Sequence, residues 1–244
     1  MSVFRFKRFE VANDRSAMKV NTDGVLLGAL MSISSSDRVL LDIGTGTGTI
    51  ALMAAQRFSD IAGDDEAVSI HAIDIDEPSA SEAEVNFANS PWSANLKAHH
   101  LSLDAFAGHN NDTFDLIFSN PPYFDNALQA PEERRNTARH TSTGFSYREI
   151  FEFASSRLTE EGRVALVLPS DTEYELTRCA RMNGLHLNRI TRIRTVPRKS
   201  PNRIVAEFSR KRMDSPEEML LTIQNEGQYT QEYLSLTKDF YLFA

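Results

Sequence analysis

A glycine-rich turn between an apolar run and a helical segment constrains the fold more than any other feature of the chain. Residues 39–42 form the apolar run, residues 42–48 read Asp-Ile-Gly-Thr-Gly-Thr-Gly, and residues 47–58 have helical spacing without proline. This pattern predicts a strand, a tight loop and a helix. In an α/β fold such a loop lies outside the carboxyl end of a strand, which is where ligands bind.

The alternation of strands and helices continues along the chain. We predict strands at residues 68–73, 96–103, 114–119 and 163–168, and helices at residues 24–33, 77–89, 146–157 and 171–183. The first helix is expected to be capped near Thr22 or Asp23, and the last to close at Gly184. This order implies a parallel sheet that is covered on both faces.

The alternation of predicted strands and helices stops after Gly184. Residues 185–196 and 203–208 are two extended runs joined by the loop 197–202, which predicts an antiparallel hairpin at the sheet edge. An α/β sheet of seven mostly parallel strands with such an edge hairpin resembles the Rossmann-like fold of class I methyltransferases. We predict a single domain over residues 1–244, made of a short N-terminal helical addition (1–36), a cofactor-binding and catalytic core (37–184), and the edge hairpin with a C-terminal tail (185–244).

Composition is that of an ordinary globular protein, with 41% hydrophobic and 25% charged residues. No run approaches the roughly 20 apolar residues of a membrane-spanning helix, and charges stand where a signal peptide would be apolar. We therefore expect a cytoplasmic protein without a membrane partner. The single cysteine, Cys179, has no disulfide partner and is a poor metal ligand, so we expect it to be buried and expect no metal site.

The formal net charge of −8 hides a strong asymmetry. Residues 178–212 contain eleven Lys or Arg and a single acid, Glu207, so this segment is +10 and the remainder of the chain is −18. Such segregation favours a polyanion-binding face on an acidic body, with Arg198, Lys199 and Arg203 as candidate phosphate contacts. The alternative is an ordinary solvated face of the hairpin.

The spacing of the glycine loop indicates which ligand it binds. Glycines recur as G-x-G-x-G, whereas a dinucleotide pyrophosphate is positioned by G-x-G-x-x-G. Asp42 would be awkward beside a diphosphate, but it is well placed to accept hydrogen bonds associated with an ammonium group, such as that of S-adenosylmethionine. The predicted cofactor loop comprises Asp42, Gly44, Thr45, Gly46 and Gly48.

Two further acids follow the next two predicted strands. We expect Asp74, rather than Asp76, to accept hydrogen bonds from two ribose hydroxyls, and Asp104 to accept one from an adenine amino group. The alternative role for both is helix or turn capping. The acid with its glycine loop, followed by these two acids, resembles the first three motifs of class I methyltransferases, which implies S-adenosylmethionine as the cofactor.

The run Asn120-Pro121-Pro122-Tyr123 at the end of the fourth strand is the most specific local signal. An exocyclic amine or amide nitrogen is a poor nucleophile because its lone pair is delocalised. Two acceptors, the Asn120 side-chain oxygen and the Pro121 carbonyl, would favour its pyramidalisation beside the cofactor. Pro121 and Pro122 fix φ near −65°, and Tyr123 can stack on a flat target. The alternative is that this run only begins a loop after the strand and has no catalytic role.

This run resembles the motif of amino-methyltransferases that act on adenine, guanine or glutamine nitrogens. Little chain remains for reading a nucleic-acid duplex, which favours a structured RNA. Residues 18–28, 134–140 and 229–242 further resemble bacterial methyltransferases that act on the adenine N6 beside the anticodon of valine tRNA. That resemblance implies tRNA as substrate, with methylation of the adenine 3′ of the anticodon. It also implies Lys19 and Asp23 near the substrate, with Arg139 and His140 over the catalytic mouth. We expect a monomer.

Three alternatives stay open. A protein glutamine N5-methyltransferase would use the same Asn120 chemistry, but that family usually has a separate N-terminal helical domain, for which this chain has no room. A dinucleotide-dependent oxidoreductase is disfavoured by the glycine spacing. A non-catalytic RNA-binding module is compatible with the fold, although the intact motif at residues 120–123 argues against it.

Overall fold

The computed structural model describes residues 2–62, 67–122 and 146–243. Strands and helices alternate over most of this length, as the sequence predicts. The strands are β1 (Val3–Arg5), β2 (Glu10–Ala12), β3 (Val39–Ile43), β4 (Ser69–Asp74), β5 (Leu96–His100), β6 (Phe114–Ser119), β7 (Leu158–Pro169), β8 (His186–Arg194), β9 (Arg203–Ser209), β10 (Glu217–Thr222), β11 (Gln224–Asn225) and β12 (Gln228–Tyr229). The helices are α1 (Thr22–Leu30), α2 (Thr49–Ile61), α3 (Glu77–Ala88), α4 (Leu103–His109), α5 (Tyr147–Arg157), α6 (Glu173–Met182) and α7 (Gln231–Thr237).

The main sheet of the described residues has the strand order β10-β8-β9-β7-β6-β3-β4-β5. Strands β3 to β7 pair in parallel, and β9 runs antiparallel to both β7 and β8. Parallel pairing puts the carboxyl ends of β3, β4, β6 and β7 at one edge. The α/β prediction is confirmed, and the glycine loop, Asp74 and Asn120 lie at this edge.

Side chains of the central strands alternate between two hydrophobic cores. Leu40 and Leu116 belong to a core with residues of α1, α2 and α3, whereas Leu41 and Ile117 belong to a core with residues of α4, α5 and α6. Both faces of the sheet are therefore covered, which explains the near-continuous apolar runs of β3 and β6. Cys179 is buried in the second core, as expected.

Among the differences from the prediction, three concern the sheet edge, the N-terminal addition and the start of α1. The sheet has eight strands rather than seven, because β10 pairs in parallel with β8 and moves the β8–β9 hairpin away from the edge. The N-terminal addition contains the hairpin β1–β2 as well as a helix. Helix α1 begins two residues earlier than predicted, since the side-chain oxygen of Asn21, and not Thr22 or Asp23, accepts from the Gly24 N–H at 2.9 Å.

The C-terminal segment closes back onto the N-terminal hairpin. The Lys7 N–H donates to the Phe240 carbonyl at 2.8 Å, and the rings of Phe6 and Tyr241 stack with centroids 6.1 Å apart. The Gln56 amide donates to the Asp239 carbonyl. The closing residues thus tie α2 and the N-terminal hairpin together.

Candidate active site

The glycine loop folds back onto the end of β4. Gly44, Gly46 and Gly48 all have positive φ, at 72°, 55° and 80°, a region that L side chains rarely adopt. A Cβ at Gly48 would also lie 2.5 Å from the Phe87 ring. The N–H groups of Gly44 and Thr45 donate to the Ile73 carbonyl at 2.9 and 3.0 Å. Glycine is therefore required both by the loop conformation and by close packing against α3.

Asp42 is fully buried at the end of β3. Its Oδ2 accepts from the Thr45 hydroxyl at 2.7 Å, while its Oδ1 has no hydrogen-bond partner among the described residues. Burial raises the pKa of Asp42 to about 7, with Asp74 adding to the rise, and with the Thr45 hydrogen bond and the nearby backbone N–H of Ala51 opposing it. A buried carboxylate oxygen without a partner is costly to the protein, and it fits a ligand that brings a cation or a donor. The Asp42 carboxylate therefore fits the ammonium group of the cofactor that the sequence predicts.

Asp74 and Asp76 have different local roles. Asp74 Oδ2 accepts from the Gly46 N–H at 2.8 Å, and burial raises the pKa of Asp74. Asp76 caps α3, because its Oδ2 accepts from the Ser79 N–H at 3.0 Å and from the Ser79 hydroxyl at 2.7 Å. Asp74 is thus the acid that borders the glycine loop.

Asp104 lies in the first turn of α4, where its side chain is exposed. The N-cap of this helix is Ser102, whose hydroxyl accepts from the Ala105 N–H at 3.1 Å. Ser102, and not Asp104, is therefore the residue that caps this helix. Residues 101–103 do not continue the strand as predicted, since β5 ends at His100.

Asn120 lies at the carboxyl end of β6, next to the glycine loop. The hydroxyl of Ser119 donates to the Ile43 carbonyl at 2.7 Å and joins the ends of β6 and β3. Asn120 is buried, and its Nδ2 donates to the Met18 sulfur at 3.5 Å. Pro121 is buried and Pro122 is half-buried. One small pocket is lined by residues of the glycine loop, by Asn120 and by Met18 and Lys19.

The segment 12–20, here called the strap, lies over the glycine loop and is held by α3. Glu82 is buried, and its carboxylate accepts from the N–H groups of residues 14, 15 and 16 at 2.8, 2.9 and 2.9 Å. The Asn86 amide accepts from the Ala12 N–H and donates to the Thr47 carbonyl. The strap and the loop are therefore fastened to one helix.

These strap contacts are not predicted from the sequence. Their signal is a polar stripe at Ser79, Glu82 and Asn86, which share a helix face with the core residues Ala83 and Phe87. Polar groups on a buried helix face need hydrogen-bond partners, and the strap supplies them.

Of the predicted substrate residues, Lys19 is exposed and lines the small pocket beside Asn120. The others, together with the predicted catalytic Tyr123, divide into three groups. Asp23 and Arg203, predicted separately, form an ion pair with 2.8 Å between Oδ2 and Nε. Arg198 and Lys199 are exposed in the loop between β8 and β9. Tyr123, Arg139 and His140 lie outside the described residues.

The basic segment is partly used inside the fold. Arg192 pairs with Glu173 at 2.5 Å and with Glu218 at 2.7 Å, and Arg189 lies 3.6 Å from the buried carboxylate of Glu207. The excess positive charge of residues 178–212 is therefore smaller at the surface than in the sequence.

Within the described ranges, no three His, Cys, Asp or Glu side chains are grouped so as to hold a metal ion. The same residues include no helix with the length and apolar character needed to cross a membrane.

Residues 16–189 match the family of the methyltransferase small domain. A protein of Bacteroides fragilis is 40% identical over 98% of this chain and 97% of its own length, and it is named tRNA1(Val) (adenine(37)-N6)-methyltransferase. Proteins of the same name from Trichodesmium erythraeum and Citrobacter koseri are each 37% identical over 98% of this chain and over 97% and 95% of their own lengths. The chain belongs to this methyltransferase family.

Solved structures support the fold. A protein of Agrobacterium tumefaciens described as a predicted O-methyltransferase has a TM-score of 0.64 at 16% identity, covering 89% of this chain and 96% of that one. A precorrin 8w decarboxylase of Methanobacterium thermoautotrophicum has a TM-score of 0.54 at 17% identity, covering 82% and 95%. The class I methyltransferase fold is thereby confirmed, and fold and family together imply the use of S-adenosylmethionine.

Proposed function

We propose that this protein transfers a methyl group from S-adenosylmethionine to the N6 atom of an adenine in tRNA, namely adenine 37 of tRNA1(Val), the base 3′ of the anticodon. The observation that carries the proposal is the placement of the buried Asn120 at the end of β6, joined to the glycine loop of β3 through the Ser119–Ile43 hydrogen bond. The name shared by relatives at 37–40% identity supports the choice of substrate.

The cofactor would be held by the residues that surround the glycine loop. We assign Asp42 to the ammonium end, Asp74 to the ribose hydroxyls and Asp104 to the adenine edge. The unpartnered Asp42 Oδ1 and the position of Asp74 beside Gly46 support the first two assignments. When bound, S-adenosylmethionine supplies an electrophilic methyl group. The chain's own residues have to position the acceptor nitrogen in line with it.

Asn120 and Pro121 would prepare that nitrogen. The amide oxygen of Asn120 and the carbonyl of Pro121 are acceptors for the two hydrogens of the adenine amino group, which frees its lone pair and stabilises the positive charge that develops on transfer. The contact between Asn120 Nδ2 and the Met18 sulfur orients the amide before substrate arrives. No strong base is needed, because the proton becomes acidic after transfer and can leave to solvent. Tyr123 would stack on the base.

Arg198 and Lys199 would meet the phosphates of the RNA. The register Pro169↔Arg203 puts the β8–β9 loop at the carboxyl end of β7, which is the same edge of the sheet as Asn120. Exposed cations at the rim of the site would neutralise backbone charge while the target base enters. Asp23 and Arg203, being paired with each other, would border the entrance rather than bind phosphate.

Radiolabelled S-adenosylmethionine tests the proposal. The protein is incubated separately with total tRNA, DNA and protein extract from a strain that lacks the enzyme, and any labelled product is digested to nucleosides or amino acids. Label in tRNA as N6-methyladenosine, lost in Asn120→Ala and kept in the exposed control Asn89→Ala, is the expected result. Label in protein would reassign the chain to glutamine methylation, and no label in any pool would indicate a binding module without catalysis.

A further inference from the structure

Helix α6 presents an exposed stripe that the fold does not need. Tyr174, Arg178 and Arg181 follow at spacings of four and three, so they lie on one face of the helix. The opposite face buries Leu176 and Ala180 in the core. Tyr174 is 76% exposed, which is unusual for so large an aromatic side chain. A groove of about 750 Å³ runs along the stripe.

The stripe is continuous with the basic loop at the catalytic edge. The Ser170 N–H donates to the Asn202 carbonyl at 3.3 Å, and the Ser170 hydroxyl donates to the Pro201 carbonyl at 2.7 Å. These bonds join the start of α6 to the loop that contains Arg198 and Lys199. The helix rises about 1.5 Å per residue, so the stripe from Tyr174 to Arg181 extends about 10 Å away from that edge.

Charge along the stripe changes from mixed to basic. Near its start Glu173 is paired with Arg192 at 2.5 Å, and Asp171 is exposed. Arg178 keeps 62% of its side chain exposed although it lies 3.4 Å from Glu175. Arg181 is exposed, and it borders a second groove together with Arg212. An exposed aromatic ring followed by arginines combines a stacking surface with phosphate-binding cations.

We propose that Tyr174, Arg178 and Arg181 form a second RNA-binding surface, which contacts tRNA outside the anticodon loop while Asn120 holds the target adenine. This inference rests on the proposed function. It extends that function, because it assigns recognition of the body of the RNA to a helix rather than to the basic loop alone. Because the contacts are to backbone and to a stacked base, the surface reads shape and charge rather than sequence.

Binding of a full-length tRNA transcript, compared with that of its isolated anticodon hairpin, tests the inference. The double variant Arg178→Ala/Arg181→Ala should weaken binding of the full-length RNA and lower its salt slope by roughly 0.7 to 0.9 for each phosphate that is no longer neutralised. Tyr174→Ala should weaken it about fivefold or more, and Tyr174→Phe should restore it because stacking is kept. Affinity for the short hairpin and for S-adenosylmethionine should change by less than about twofold.

Lys97→Ala is the matched control, since Lys97 is an exposed cation on β5, the opposite edge of the sheet. Wild-type affinity and salt slope in the stripe variants would overturn the inference, and so would an equal reduction in Lys97→Ala, which would indicate a non-specific effect of charge. Failure of the wild-type protein to methylate any tRNA would instead refute the proposed function, so the two failures are distinguishable.

Discussion

Replacing Asp42 by asparagine should stabilise the protein without cofactor and, at the same time, weaken cofactor binding. The pKa of Asp42 is raised from 3.8 to about 7, chiefly by burial. The native state therefore binds this proton more tightly than the unfolded state does. The contribution of Asp42 to the free energy of unfolding is fully present below pH 3.8 and is lost as the pH rises toward 7. At about pH 8 the loss approaches about 4 kcal/mol, at 1.36 kcal/mol per pKa unit.

The asparagine variant removes this loss but introduces a smaller one. Its side-chain oxygen can still accept from the Thr45 hydroxyl, while its NH2 group would replace the unpartnered Oδ1. A buried donor without a partner costs about 1–3 kcal/mol. We therefore expect Asp42→Asn to raise the free energy of unfolding by about 1–3 kcal/mol at about pH 8. The gain should shrink by about 1 kcal/mol at about pH 6, where the wild-type carboxyl is mostly protonated in the native state.

Urea denaturation at these two pH values measures both effects, with the exposed Asp214→Asn as the control variant. Titration with S-adenosylmethionine completes the test. Wild-type affinity should fall about tenfold from about pH 8 to about pH 6, because binding needs the ionised carboxylate. The variant should bind about 10- to 100-fold more weakly, without this dependence on pH. A stability difference that is independent of pH would contradict the raised pKa of Asp42, and unchanged cofactor affinity would contradict its role in binding the cofactor.

Three further predictions concern the strap, the glycine loop and the entrance. Glu82→Ala leaves three strap N–H groups without their acceptor, so the free energy of unfolding, measured by thermal denaturation, should fall by about 2 kcal/mol or more. Calorimetry should also show a lower affinity for the cofactor. The control Glu84→Ala, at an exposed position of the same helix, should change neither quantity. Gly48→Ala requires a side chain at φ 80° against the Phe87 ring. Its free energy of unfolding, measured by urea denaturation, should therefore fall by at least about 1 kcal/mol. A double-mutant cycle of Asp23→Ala and Arg203→Ala should give a coupling energy of about 1 kcal/mol, and strictly additive effects would contradict the ion pair.

The sequence predicts the central strands well because burial on both faces leaves continuous apolar runs, as in β3 and β6. It fails for β10, where residues 217–222 read Glu-Glu-Met-Leu-Leu-Thr and Leu221 alone is buried. An edge strand with one covered side chain has no alternation to detect. The prediction for β7 was too short, since the strand starts at Leu158 and passes through the exposed Glu160 and Glu161.

In the candidate site, the residues that belong to short motifs can be predicted from the sequence, whereas the contacts between distant segments cannot. The glycine loop, Asp42, Asp74 and Asn120 are each recognisable from a few adjacent residues and from their place after a strand. The hydrogen bond between Ser16 and Glu82 joins residues 66 positions apart, and no local pattern indicates that they pair. Such contacts depend on the packing of the strap against α3, which appears only in the folded chain.

Methylation of one defined tRNA is the most direct test of the proposed activity. An unmodified tRNA1(Val) transcript is incubated with S-adenosylmethionine and the protein, digested with ribonuclease, and analysed by mass spectrometry of the fragments. We expect one added methyl group, on N6 of adenine 37. We also expect no product with an A37→G transcript, and at least about a hundredfold lower rate with Asn120→Ala, since that variant lacks a preorganised acceptor at the reacting nitrogen. Methylation of the A37→G transcript, or full activity of Asn120→Ala, would contradict the proposed function.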